Sequence, residues 1–211
     1  MLKLDLHVHT SHSVDGMFSV REMVDAAKRK GLSGMAITDH NTISGLKEAA
    51  GLSSNKFLVI PGVEISSGGA HVVALGIKKE IPKGMPLKDT VSLIKKQGGV
   101  AIAAHPFVPG RNPDAVKEVR FDAIEGLNSR AFFLSNPLAR RYSRLTNLPM
   151  VAGSDAHHAD DVGTAYTCID CRPDIETVLD EIRAGRTSIE GKALPVPTLL
   201  WRFVQRALKK R

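Results

Sequence analysis

The sequence has only two cysteines, no apolar run approaching the roughly 18 residues of a bilayer span, and no linker, low-complexity stretch or internal repeat. Two thiols cannot staple a small secreted scaffold, which excludes a disulfide-built fold and points to a reducing compartment. The short apolar runs give no transmembrane segment. The opening MLKLDLHVHT enters a strand pattern without the apolar core and small-residue cleavage site of a secretory signal, so the expected location is cytoplasmic. Acidic residues are also in deficit, 22 against 29 Lys and Arg, for a formal charge of +7. That excess favours anionic partners such as phosphates but says nothing about fold.

What the sequence does have is histidine. His7, His9, His12, His40, His71, His105, His157 and His158 mostly stand beside turn signals at the ends of apolar runs. His7 and His9 are two residues apart at the end of the run LKLDLHV, so they share one face of a strand. Imidazole fills a core poorly unless both nitrogens find partners. Something must sit in front of this pair.

The 211 residues, 43% apolar and 24% charged, suffice for a sizeable core. Periodicity reads LKLDLHV, GMAITDH, FLVIPGVEI, VAIAAHP, FDAIEGLN, PMVAGSDAHH and VGTAYTCID as strands. Between them, SVREMVDAAKRKG reads as an amphipathic helix with Ser19 as N-cap and Gly31 as its stop. Further helices are expected from about Thr42 to Ala50, in LKDTVSLIKKQGG, in NPLARRYSRLTN and in PDIETVLDEIRAG. The Gly-Gly of ISSGGAHVVALGI predicts a hairpin into an extra antiparallel strand. About seven βα units in so short a chain suit a compact closed barrel, a TIM-like (βα)7 fold. The expected division is a barrel domain at 1–192 and a basic amphipathic helical tail at 193–211 packing on it. The tail's apolar side would be Leu200, Phe203, Val204, Ala207 and Leu208, with Arg202, Arg206 and Lys209 elsewhere.

A parallel barrel collects its strand ends on one face, where active sites of such barrels form. His7, His9, His40, Glu64, His105, Asn128, Asp155 and His157 all close strand patterns, and the hairpin returns His71 to the same rim. With Asp15, nine imidazole and carboxylate groups then converge without a thiolate among them. Nine donors are too many for one ion and enough for two or three, and paired ions about 3.5–4 Å apart suit phosphate-ester hydrolysis. Three divalent ions against three carboxylates leave a positive site, complementary to a phosphate.

The segments HVHTSHSVDG, TDHNT, GVEIS with HVVALG, AHP and GSDAH stand in the order of the motifs of the PHP (polymerase and histidinol phosphatase) family. The chain resembles its small stand-alone metal-dependent phosphoesterases over residues 1 to about 190. That resemblance implies a distorted seven-stranded barrel and up to three divalent ions, Mn2+, Fe2+ or Zn2+. One ion would take His7, His9, Glu64 and Asp155; a second Asp15, His40 and His157; a third His71 and His105, with Glu64 bridging it to the first. It implies hydrolysis of phosphodiester or phosphomonoester bonds by a metal-bridging hydroxide, with nucleotide or oligonucleotide ends favoured as substrates. Asp15, His40 and Arg130 are the expected catalytic residues, with Arg130 binding the phosphate through its planar fork and Asn128 donating to the same group.

Oligonucleotide-cleaving relatives carry a long insertion between the segments of His71 and His105, whereas here only residues 72–104 intervene. Substrate identity is therefore open, and so is oligomeric state. Asp39 reads as a helix cap or a partner of a ligand histidine, and His12 and His158 as solvated loop residues. Cys168 and Cys171 would face opposite sides of a strand and read as ordinary cysteines. Alternatives remain: a histidinol-phosphatase-like monoesterase, a metal-dependent amidohydrolase (which commonly needs a strand-end lysine not found here), and a non-catalytic RNA-binding barrel.

Overall fold

The computed structural model describes residues 1–132 and 134–209, with the side chains of Arg206 and Lys209 outside the description. Nine strands form one sheet: β1 (Leu2–Val8), β2 (Gly34–Ile37), β3 (Leu58–Ser67), β4 (Ala70–Leu75), β5 (Val100–Ala104), β6 (Ala123–Asn128), β7 (Met150–Gly153), β8 (Ala165–Ile169) and β9 (Ser188–Gly191). Their order is β7-β6-β5-β4-β3-β2-β1-β8-β9. β1 to β3 run parallel, as do β5 to β7, and β4 lies antiparallel between β3 and β5. β8 and β9 extend the sheet antiparallel beyond β1. At the rim the sheet nearly closes: Asp155 N donates to the His7 carbonyl at 2.8 Å and His9 N to that of Ala156 at 2.9 Å. The result is the expected TIM-like barrel, distorted by its antiparallel members.

The helices follow the apolar periodicity. α1 (Val20–Arg29) starts at Ser19 with a capping box to Glu22, and Gly31 leaves it in the left-handed conformation at φ 72°. The second helix is shorter than expected: α2 is Leu46–Ala50, because Asn41 turns left-handed and no side chain caps the segment before Gly45. α3 (Leu87–Lys96), α5 (Ser135–Thr146) and α6 (Ile175–Arg183) match their patterns. α4 (Pro113–Lys117), begun by an Asn112 cap, and β9 were not foreseen, being a single turn and a largely exposed edge.

Strand β1 shows how the core and the rim share one element. Leu4 and Leu6 join Ile60, Ile102, Val151 and Ile169 inside the barrel, which α6 plugs from below with Val178, Leu179 and Ile182. Strict alternation would send Val8 inward as well. A register irregularity between Asp5 and Val8 shifts the phase, so Val8 packs outward against α1 and His7 and His9 turn in. Asp5, fully buried, accepts from Ser154 N at 2.9 Å and Gly163 N at 2.7 Å and fastens β1 to the segment after β7. Burial pushes its carboxyl up to about 6 despite these donors.

The tail helix α7 (Val196–Lys209) corrects one expectation. Leu200, Phe203, Val204 and Leu208 do not pack on the barrel but stand exposed. The contact is polar: Arg202 grips Asp161 with Nε to Oδ2 at 2.9 Å and Nη2 to Oδ1 at 3.1 Å. Amphipathicity identified the two sides of the helix but not which one faces in. Arg206 and Lys209, read as polar positions, have side chains outside the described residues, and Lys210 and Arg211 lie beyond them.

Gly153, at the end of β7, is pressed against β1: a Cβ there would lie 2.8 Å from His7 N. Gly153→Ala is expected to lower stability by about 2 kcal/mol or more, since backbone cannot yield as a side-chain tip can. Urea denaturation measures this; an unchanged midpoint would show that the rim has slack.

Candidate functional site

All nine expected donors meet at the rim. His7 and His9 leave β1 with their Nε2 atoms 3.0 Å apart. Glu64 Oε2 lies 3.4 Å from His7 Nε2 and 3.3 Å from His9 Nε2, while Asp155 Oδ1 lies 3.9 and 3.4 Å from the same two nitrogens. Four ligands about 2.0–2.1 Å from a tetrahedral ion would be separated by roughly 3.3 Å. Five of the six separations in this set lie between 3.0 and 3.9 Å, near that spacing, and the donors group as His7, His9 and Glu64 and as His7, His105 and Asp155. Across the site, Asp15 Oδ2 lies 3.1 Å from His157 Nε2 and 3.5 Å from His40 Nε2. Glu64 Oε1 meets His71 Nδ1 at 2.5 Å and His105 Nε2 at 3.0 Å.

Glu64 is the hub, 1% exposed and ringed by five imidazoles. Its buried Oε2 has His40 Nδ1 at 2.8 Å as well, yet no hydrogen bond from the described residues is aligned to it. A buried carboxylate oxygen facing nitrogens that do not donate to it fits a shared cation better than a hydrogen-bond network. Grouped by separations within 4.8 Å, the donors form four overlapping sets able to hold metal. The overlap is greater than the sequence resemblance implied: His9 also joins Asp15, His40 and His157, His105 joins His7 and Asp155, and His40 joins Glu64 and His71.

Electrostatics bind the groups together. Burial opposes ionisation of Glu64 and Asp155, but the charge on His7, with hydrogen bonds to neighbouring imidazoles, holds both carboxyls well below their usual range. Burial likewise opposes charge on His7, and the carboxylates of Glu125, Asp155 and Glu64 outweigh it, raising His7 well above an ordinary imidazole. His40 rises to about 10 against its burial through Asp15 and Glu64, and His105 rises through Glu64. Burial and the neighbouring His9 push His157 down to about 4, and burial lowers His71.

Sequence reasoning missed the supports beneath these donors. Glu125, inside β6, takes His7 Nδ1–H at 2.7 Å and the His105 amide at 2.8 Å, turning His7 Nε2 toward the site. Its signal was a lone carboxylate in the apolar run FDAIEGLN. Asn128 departs from its expected role: its amide nitrogen donates to Glu125 at 3.0 Å and Asp155 at 3.3 Å, and its oxygen accepts Arg130 N–H at 2.9 Å. Fully buried and engaged at both ends, Asn128 positions Asp155 and Arg130 instead of donating to a phosphate. Asp39 neither caps a helix nor touches a histidine ligand; it accepts the Thr10 amide at 2.6 Å and hydroxyl at 2.8 Å and ties down the loop carrying Asp15. His105 and Asp155 both hold left-handed backbone, at φ 31° and 56°. Such strain costs about 1–3 kcal/mol and persists where surroundings impose it. His12 binds Ser44 at 2.9 Å and His158 caps the turn Ala159–Asp161, so neither joins the cluster. Cys168 and Cys171 are unbridged.

Above the donors opens a cavity of about 380 Å³ with an arginine on each side. Arg130 Nη1 lies 2.6 Å from His157 Nδ1. Arg111, not anticipated because it sits in an irregular loop, has Nη2 3.1 Å from His71 Nδ1, and its Nε is buried without a hydrogen-bond partner among the described residues. A cavity walled by two guanidinium groups over a carboxylate–imidazole floor accepts an anion.

A barrel with such a rim defines a class, the metal-dependent hydrolases that work at a strand-end cluster. The PHP domain matches residues 5–105 and the PHP-associated region residues 133–187. An uncharacterized protein of Methanocaldococcus jannaschii is 36% identical over 61% of this chain and 82% of its own. A 5'-3' exoribonuclease of Haemophilus influenzae is 35% identical over 47% of this chain, and a 3',5'-nucleoside bisphosphate phosphatase of Chromobacterium violaceum 37% over 39%. The matched parts span only 38% and 30% of those two enzymes. In three dimensions, a two-domain Bacteroides vulgatus protein containing a predicted PHP-like metal-dependent phosphoesterase superimposes with a TM-score of 0.74 at 23% identity, over 97% of this chain and 69% of that one. PsfC of Pseudomonas syringae gives 0.74 at 20% identity over 98% of both chains. The chain belongs to the PHP family and is a metal-dependent phosphoesterase.

Two outcomes follow from the site. Imidazoles bind metal as neutral ligands, so His7 and His40, protonated at neutral pH without metal, must release protons on loading, whereas His157 has none to give. Mn2+ affinity should therefore rise with pH across neutrality, and calorimetric heats should differ between buffers of unequal ionisation enthalpy; identical heats would contradict this. Glu125→Gln should weaken metal affinity about 10- to 100-fold with the fold intact, read by metal titration beside circular dichroism.

Proposed function

We propose that this chain hydrolyses phosphate esters, with nucleotides or nucleic-acid ends as the favoured substrates, at a site holding up to three divalent ions (Mn2+, Fe2+ or Zn2+). The observation that carries the reading is Glu64, whose two carboxylate oxygens each face ring nitrogens from different strands. In this reading His7, His9, Glu64 and Asp155 hold one ion, Asp15, His40 and His157 a second, and His71, His105 and Glu64 a third. The six imidazoles and three carboxylates are donors that all three metals accept. When bound, such ions lower the pKa of water and neutralise charge on phosphoryl oxygens.

The protein's own groups do the rest. Strand ends hold the donors rigidly, and Asn128 and Glu125 fix the orientation of Asp155 and His7. His157 Nδ1 stands 2.9 Å from the Asp155 carbonyl oxygen. With its hydrogen on Nδ1, His157 donates there and offers Arg130 no lone pair. The Arg130 fork is then available to grip a phosphate in two-pronged fashion, with Arg111 facing it across the cavity. The match to a ribonuclease and to a nucleoside bisphosphate phosphatase supports nucleotide chemistry over other phosphate esters.

The test is turnover of a panel by protein reconstituted with each metal: nitrophenyl phosphate, its bis ester, histidinol phosphate and 5'-phosphorylated short RNA and DNA. Cleavage of the diester or oligonucleotides is expected, with Glu64→Gln reducing kcat/KM by roughly a thousandfold or more and Arg130→Ala acting mainly through KM. Phosphate release from histidinol phosphate alone would move the substrate to a small monoester. No turnover of any ester would remove the reading.

A further inference from the structure

The chain's basicity is not spread over the barrel. Six of the 29 Lys and Arg residues and none of the 22 acidic ones lie after Gly191, so the first 191 residues carry a formal charge of only +1. Three of those six, Arg202, Arg206 and Lys209, lie in α7. Its Arg202 is turned inward onto Asp161, which fixes which way the helix faces: Leu200 and Val204 point outward, and Trp201 and Phe203 stand on the two flanks, 57% and 72% exposed. An apolar stripe held out to solvent by a buried ion pair is a poor device for packing and a good one for contact with a partner.

Position narrows what that partner is. A small cavity beside the catalytic one is lined by Asp15, Arg130 and His157 on the barrel side and by Arg202 and Phe203 of α7. Arg130 borders both cavities, and Phe132 lines the catalytic cavity on its other flank. The segment leading into α7 is hydrogen-bonded to the same strand end, Leu194 N to the Ser129 carbonyl at 2.7 Å. A route thus runs from the donors, past Arg130, to the Phe203 ring on a helix with three basic residues and no acidic one. Backbone anions together with flat faces for stacking are what single-stranded nucleic acid offers.

We infer that α7 is a binding wall for a single-stranded nucleic acid whose terminal phosphate enters the catalytic cavity, with bases stacking on Phe203 and Trp201. The inference rests on the phosphoesterase reading above and names its substrate class. It also supplies an enclosure for this chain, in which only residues 72–104 separate His71 from His105. α7 is 14 residues, about 21 Å long, enough to accompany several nucleotides.

The test uses the full-length, metal-loaded protein and a fluorescein-labelled, cleavage-resistant short single-stranded oligonucleotide, followed by anisotropy over a range of salt. The wild type is expected to bind with affinity that falls steeply with salt. Trp201→Ser with Phe203→Ser should weaken binding roughly 10-fold or more; both residues are exposed, so the fold is kept. Equal affinity of variant and wild type, or no binding by the wild type, overturns the inference. So does either of two competing results: pelleting of the wild type but not the variant with vesicles of phosphatidylcholine and phosphatidylglycerol in equal parts, or a wild-type dimer that the variant converts to monomer. Turnover of the bis(nitrophenyl) ester is measured separately. If the wild type cleaves that ester but ignores the oligonucleotide, α7 loses its role and the phosphoesterase reading stands; if it cleaves no ester, that reading fails whatever the anisotropy shows.

Discussion

The carboxylate of Glu64, enclosed by five imidazoles, is the constraint from which the rest of the rim follows. A buried carboxylate is costly unless positive charge surrounds it, and imidazoles crowded at 3 to 4 Å are costly unless something separates their lone pairs. The charge on His7 and His40 meets the first requirement only in part, since among the described residues no aligned hydrogen bond reaches Oε2, and the side chains leave the second unmet. Cations shared between the carboxylate and the rings would meet both. The hairpin of β3 and β4 is what allows this: Ser66 pairs with His71, so the returning strand starts on the rim where Glu64 sits. A parallel strand in that place would begin at the opposite end of the barrel.

Keeping such a cluster in place requires that its members not relax toward one another. The protein prevents this from below. Glu125 holds His7 and the backbone of His105, Asn128 holds Asp155, Asp39 holds the loop of Asp15, and Asp5 fastens the two sides of the seam between β1 and β7. Gly153 lets those two strands approach more closely than any side chain would permit. The left-handed backbone at His105 and Asp155 belongs to the same arrangement, since both chains turn sharply where they leave the strand to aim a donor inward.

These two layers differ in how visible they are in the sequence. Donors such as His7, His40 and Asp155 interrupt apolar runs at their ends, where a polar residue has no packing reason to be, so their convergence was legible from strand order alone. Glu125 lies within a run and reads as one polar residue on an alternating strand; its importance depends on which strand lies across the barrel. Arg111 follows an irregular loop that no periodicity describes. Asn128 was found for the right reason, its strand-end position, but its burial decides its role, and burial is a property of the closed barrel. The phase shift in β1 is likewise invisible to a period of two, although it alone lets Leu6 and His7 both serve the interior.

The tail is the instructive reversal. An amphipathic helix next to a core is normally read as packing its apolar side, and that reading assumes the core offers an apolar landing site. Here the adjacent rim is a polar site, with Asp161, His157 and Arg130 exposed to any element laid beside it. The side of α7 that complements such a surface is the one carrying Arg202, so the ion pair with Asp161 takes the inward place and the apolar stripe is displaced to solvent. A polar rim that presents carboxylates therefore determines the orientation of its neighbour. The carboxylates that draw Arg202 inward leave Phe203 lining the small cavity beside Arg130 and His157.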